Sequence, residues 1–228
     1  LATGKIPLIY MQNSGLGNII NPLLSLADDD VYGIPMLLVI GWRGQPKIKD
    51  EPQHKKQGRV MLEMLKSMKI PYKIIYKRDN QDQVRKKVSS VIENIHKKNA
   101  PCAIVIEKGV SDSYSIKSSS TKRFKLNREK AMHIVLENIH KDSVVVATTG
   151  YTSRELFEFR KSNKGQFNTD FLTVGGMGHA NQIAAGISMN SNKAVYCFDG
   201  DGSILMHMGT LAINASLKLK NFKHIIFN

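Results

Sequence analysis

Short apolar runs alternate with longer amphipathic segments along almost the whole chain, and polar loops separate them. Lys5 to Met11 predicts a short buried strand, and a helix follows from about Ile19 to Ala27. Ile34 to Ile40 is apolar without interruption, as a parallel strand covered on both faces would be. A helix is expected over about His54–Lys69, with Val60, Met61, Met64, Leu65 and Met68 on its inner face. Strand Tyr72–Tyr76, helix Gln81–Asn99 and strand Cys102–Glu107 complete a first unit of repeated strand and helix. Lys108 to Lys122 then turns Ser-rich and aperiodic, which marks a boundary. Two domains are expected, 1–110 and 126–228, with 111–125 as the linker. The second repeats the pattern: helix Asn127–Ile139, strand Ser143–Thr148, a polar surface loop over Lys161–Asn168, strand Phe171–Val174 and a small-residue helix to Met189. The order implies an α/β fold of two doubly wound parallel sheets.

The last stretch, Lys193 to Asn228, carries the most information. An apolar run, Ala194 to Phe198, meets Asp199-Gly200-Asp201-Gly202-Ser203, then an apolar-periodic segment of about four turns, then a second apolar run ending at Asn228. Glycines let the backbone turn sharply and approach a ligand, and Ser203 is placed to cap the helix. Such a loop suits phosphate. Asp201 would put a carboxylate beside it, the arrangement that shares a hard divalent cation between carboxylate and phosphate oxygens. Asn228 stands where a second oxygen ligand should come from.

Other loops repeat the strand, glycine, helix logic. Gly15-Leu16-Gly17 and Gly176-Met177-Gly178 both lack the third glycine of a dinucleotide fingerprint, and no nucleoside triphosphate loop occurs. Gly41-Trp42-Arg43-Gly44 and the polar loop to His54 follow a strand, where ligands of open α/β sheets sit. Arg43 could fork onto an anion, and His54 could move a proton near neutral pH. Thr149 to Glu155 predicts a loop and helix N-cap rich in hydroxyls. His179 reads as a loop histidine without zinc-like partners.

Net charge is +14 over 228 residues, which invites a nucleic-acid reading. The lysines are scattered over helical faces and no nucleic-acid module is visible, so a basic nucleotide- or nucleic-acid-binding module is the distant alternative. Cys102 and Cys197 lie in apolar runs, which favours buried thiols in a reducing cytoplasm. No signal peptide or long apolar span is seen.

Taken together, QNSGLGN (12–18), GWRGQP with DEPQH (41–54), TGYTSRE (149–155), GGMGHA (175–180) and FDGDGS (198–203) resemble the thiamine diphosphate (ThDP)-dependent 2-oxoacid decarboxylases. Within that family the resemblance is to the phosphonopyruvate decarboxylases, with the sulfopyruvate decarboxylases near by. It implies a pyrimidine-binding domain first and a diphosphate-binding domain second. It implies that Asp201 and an Asn at or beside Asn228 bind Mg²⁺, and that Gly200, Gly202 and Ser203 meet the diphosphate with Gly150, Tyr151, Thr152 and Ser153. Gly175, Gly176 and Met177 would hold the cofactor bent, with Met177 and the Gly175 carbonyl, together with His54 and Arg43, as the catalytic set. The implied partners are a small anionic 2-oxoacid and further copies of the chain, in a homo-oligomer with sites between subunits, with no nucleic acid or membrane. The family's catalytic Glu is expected before Leu1 and a Gly-rich segment after Asn228, so a piece of a longer protein is expected.

Overall fold

The computed structural model describes residues 4–115, 125–163 and 169–228. The centre of the Ser-rich boundary and most of the polar loop expected over 161–168 lie outside the described residues. The chain divides into two compact units, 1–117 and 118–228.

In the first unit, β1 (Leu8–Gln12), β2 (Met36–Gly41), β3 (Tyr72–Ile75) and β4 (Pro101–Ile106) form one parallel sheet in the order β1-β2-β4-β3. Helices α1 (Leu16–Ser25) and α2 (Pro52–Ser67) cover one face, where Leu16, Leu23, Met61 and Leu65 pack on Leu38, Ile40 and Val105. Helix α3 (Gln81–Lys98) covers the other with Val91 and Ile95 against Cys102 and Ile104. Its start is fixed by a capping box: Asn80 accepts from the Gln83 amide and Gln83 reaches back to the Asn80 amide. The apolar run that predicts β2 is therefore an inner strand with both faces covered. The run that predicts a buried β1 is not: Leu8 is 63% and Tyr10 75% exposed. Among the described residues β1 pairs with β2 alone and stands at the sheet edge, where apolar composition alone gives no burial.

The second unit repeats the plan. Strands β5 (Val144–Ala147), β6 (Asp170–Leu172), β7 (Val195–Gly200) and β8 (Phe222–Phe227) run parallel in the order β6-β5-β7-β8. Helices α4 (Arg128–Asn138) and α5 (Tyr151–Ser162) pack Met132, Leu136 and Leu156 on Val145, Phe198 and Phe227. On the opposite face Ala180 and Ala184 of α6 (Ala180–Met189) lie against Val146, Val195 and Cys197. Their small side chains bring that helix close to the sheet.

The helix expected after the last glycine loop is interrupted. It forms as α7 (Asp201–Met206) and α8 (Gly209–Leu217), with His207 at φ −138°, ψ 51° outside helical space. The Thr210 hydroxyl donates to the His207 carbonyl at 2.7 Å, which stabilises the break. Among the described residues no helix is long and apolar enough to cross a membrane.

Candidate active site

All four strands of the second unit point the same way, so the loops after β5, β6 and β7 and the end of β8 line one edge of the sheet. Three of these loops meet at one hydroxyl. Ser203 Oγ accepts from the Gly178 amide at 3.0 Å and lies 2.9 Å from Thr148 Oγ1. Thr149 Oγ1 also donates to the Val174 carbonyl at 2.8 Å, which ties the β5 and β6 loops together. Ser203, Thr148 and Gly178 are buried, so the junction is shielded from water.

This arrangement corrects the roles expected for several hydroxyls. Ser203 does not cap α7; Gly200 is at the N-cap and makes no side-chain cap. Nor does a hydroxyl cap α5, whose N-cap is Gly150 at φ +97°. The Ser153 hydroxyl turns inward, 2.7 Å from the Thr148 carbonyl, and Thr152 is buried. These side chains hold loops in place, which leaves their backbone N–H groups as what a bound anion would meet. Tyr151 is exposed, with the Arg128 guanidinium 5.4 Å from its ring centre.

Around the junction the backbone is open. A Cβ placed on Gly150 or Gly202 would meet nothing within 4 Å. Gly175, Gly176 and Met177 follow β6, and Met177 is 40% exposed and belongs to none of the core clusters. Gly178 lies under it at φ +93°, where a Cβ would overlap the His207 ring. The His179 and His207 rings lie with centres 4.4 Å apart at an angle of 38°, and the His179 amide donates to the Gly176 carbonyl at 3.1 Å, so His179 is held both by its loop and by its neighbour.

The β7–β8 register places the two expected metal ligands. Gly200 pairs with Phe227 at the last rung, so Asp201 and Asn228 are the residues that immediately follow two adjacent strands. Both are exposed, and no side-chain hydrogen bond or ion pair engages Asp201 among the described residues. Two hard oxygen donors beside an open glycine backbone suit a divalent cation carrying a diphosphate.

Behind them lies a group that the sequence did not single out. Asp199 is fully buried, and its carboxylate accepts from the Gly200 amide at 3.0 Å and Asn181 Nδ2 at 3.4 Å, with His224 Nε2 at 3.2 Å. Burial opposes its ionisation, but bonds from His224, Ser203 and Gly200 together hold its pKa below the usual carboxylate value. Only the doubled acid of FDGDGS hinted at it.

In the first unit the β2–α2 loop is organised by Asp50. Its carboxylate accepts Arg43 Nε at 2.9 Å, Arg43 Nη2 at 2.6 Å, and the Gly44 and Glu51 amides at 2.8 Å. The Arg43 fork expected to take an anion is thus already engaged within its own loop. Asn13 fastens the same loop, donating to the Arg43 carbonyl at 3.0 Å and accepting from its amide at 2.9 Å. Trp42 Nε1 donates to the Gly58 carbonyl at 2.8 Å and pins the loop to α2. His54 is half-buried with Nδ1 lacking a partner among the described residues. Burial, then the Arg43 charge, lower its pKa below the ordinary histidine value, against the opposing charges of Asp50 and Glu51.

Comparison with known proteins bears on the same edge of the sheet. Residues 148–228 match the family Thiamine pyrophosphate enzyme, C-terminal TPP binding domain. The chain is 31% identical to a phosphonopyruvate decarboxylase of Streptomyces hygroscopicus and 29% identical to one of Streptomyces viridochromogenes, over 99% of its own length in each case. It is 28% identical to a sulfopyruvate decarboxylase of Methanosarcina acetivorans over 97% of its length. The chain spans 58–59% of the length of these relatives. The second unit is thus similar to the TPP binding domain of thiamine pyrophosphate enzymes, and nearly the whole chain is similar to phosphonopyruvate and sulfopyruvate decarboxylases.

Proposed function

We propose that this protein decarboxylates 3-phosphonopyruvate to phosphonoacetaldehyde and CO₂, with ThDP and Mg²⁺. The observation that carries this reading is the match to phosphonopyruvate decarboxylases over 99% of the chain, which includes each loop at the candidate site. In the reaction the C1–C2 bond breaks, CO₂ leaves, and a proton takes its place on C2.

Asp201 and Asn228 would hold the cation, and the amides of Gly202 and Ser203, with the Gly150–Ser153 turn, would receive the diphosphate. Bound ThDP supplies a carbon nucleophile and an electron sink for the departing carboxylate. The chain's own part is to orient. The Gly175 carbonyl would accept a hydrogen bond from the cofactor's amino group, while the exposed Met177 side chain would support it from below. The hydroxyl junction at Ser203 keeps the Gly178 and Gly202 backbones at a fixed separation. With Arg43 engaged by Asp50, Lys47 and Lys49 are the cations of the β2–α2 loop without a side-chain partner among the described residues, suited to a phosphonate. His54 would exchange a proton with the substrate near neutral pH. An oligomer in a cytoplasmic setting completes the proposal. It is supported by sulfopyruvate decarboxylases of Methanococcus maripaludis named as separate α and β subunits, each matching under half of the chain.

A second reading, decarboxylation of sulfopyruvate, rests on the Methanosarcina relative. CO₂ release is to be compared for phosphonopyruvate, sulfopyruvate and pyruvate with ThDP and Mg²⁺ present. Phosphonopyruvate should be turned over fastest. Faster release from sulfopyruvate would move the assignment to the second reading, and no release from any 2-oxoacid would overturn both.

A further inference from the structure

We propose that the buried Asp199–His224 pair, anchored by Asn181, is a positioning brace that sets the separation of Asp201 and Asn228. The inference rests on the reading of those two residues as the metal ligands.

The β7–β8 ladder ends at Gly200 and Phe227, so no strand hydrogen bonds join the two ligands themselves. Among the described residues β8 pairs with the sheet through β7 alone. Something must keep its end from fraying or sliding, because a divalent cation tolerates little change in the distance between its ligands. The Asp199–His224 contact is placed to do so. Cys197 stands opposite His224 and Asp199 opposite Ile226, so the 3.2 Å contact crosses the strands diagonally. A slip of β8 by one residue would turn His224 to the other face of the sheet and break it. Asp201 lies two residues past Asp199 and Asn228 four past His224, each just beyond the end of its strand.

The pair is also tied to the helices. Asn181, fully buried on α6, reaches Asp199, and its Oδ1 accepts from Gln182 Nε2 at 3.2 Å. Gln182 Nε2 lies 2.7 Å from Asn214 Oδ1 on α8. A polar chain thus runs from α8 through α6 to β7 and β8. Burying an ionisable pair gives less stability than apolar packing of equal volume, and its best attested use is to fix register. Cys197 Sγ lies with both groups inside 4.8 Å, and burial raises its thiol pKa.

Mn²⁺ is the probe, with free ion counted by electron paramagnetic resonance in the presence of ThDP and fold checked by circular dichroism. His224→Leu and Asp199→Asn should each weaken ThDP-dependent Mn²⁺ uptake by about tenfold or more, as loss of outer-sphere support does elsewhere. His224→Gln, which keeps a donor at similar reach, should recover most of it. Asp199→Asn, nearly isosteric and uncharged, decides the matter if the leucine variant does not fold. Wild-type uptake that Asp199→Asn leaves unchanged would overturn the brace alone. A wild-type protein that takes up no Mn²⁺ with ThDP would overturn the metal site and the brace with it.

Discussion

Gly178→Ala tests the packing under the candidate site. The residue sits at φ +93°, outside the small left-handed region open to L-residues, and forcing alanine there costs about 1–3 kcal/mol. The new Cβ would overlap His207 Cδ2, lie 3.2 Å from His207 Cγ and come within 3.1 Å of the Ser203 carbonyl oxygen. Overpacking of that kind costs about another 1–3 kcal/mol. The two parts can be separated, because the His207 ring can be removed and the backbone strain cannot. In urea titrations at constant m, Gly178→Ala should lower stability by about 2–6 kcal/mol. In a His207→Ala background the same change should have a smaller effect, by about 1–3 kcal/mol. ThDP affinity measured by calorimetry should fall with the single variant, since the Gly178 amide is bonded to Ser203 Oγ. An effect on stability under about 0.5 kcal/mol, typical of an unconstrained surface site, would refute the reasoning, as would an unchanged penalty without His207.

Met177→Ala should change stability by under about 1 kcal/mol, not the 2–5 kcal/mol of a buried methionine, because the side chain is 40% exposed. Its effect should fall on turnover per folded molecule, and a large drop in denaturant midpoint with unaltered turnover would make it packing. Cys102 and Cys197 are buried and burial raises both thiols, so alkylation should be negligible in the native protein at neutral pH and complete on unfolding. Rapid native labelling would place one of them at the surface. Because burial, then Arg43, lower the His54 pKa below its unfolded value, the unfolded chain binds the proton first as pH falls. The His54 contribution should be complete above about pH 6.5 and lost toward the folded pKa. Urea midpoints from pH 8 to 5 should therefore fall less for His54→Gln than for wild type, and parallel profiles would contradict the assignment.

How much of this was legible depended on the physical range of each signal. Inner parallel strands such as Met36–Gly41 and Val195–Gly200 are covered on both faces and read as unbroken apolar runs. The edge strand Leu8–Gln12 has the same composition and a different environment, and composition cannot tell the two apart. The break at His207 leaves no mark in the hydrophobic pattern, because apolar periodicity continues across it and Gly209 is its sole local sign. Glycine loops and Asp201 stand out in the sequence because backbone approach and a lone carboxylate are local properties. The directions of the Ser153 and Ser203 hydroxyls are set by residues 5 and 55 positions away, which no local reading supplies. The same holds for Asp50 closing on Arg43 and for the Asp199, His224 and Asn181 cluster.

The central claim is that the ends of β7 and β8 hold a ThDP diphosphate through a divalent cation. It is tested most directly by calorimetric titration of ThDP into wild type and Asp201→Ala, with Mg²⁺ and with chelator. Asp201 is exposed between glycines and outside the core, so its removal should leave the fold intact. Wild type should bind ThDP only with Mg²⁺, and the variant should lose the Mg²⁺-dependent part. Equal, Mg²⁺-stimulated affinity in both proteins would contradict the account.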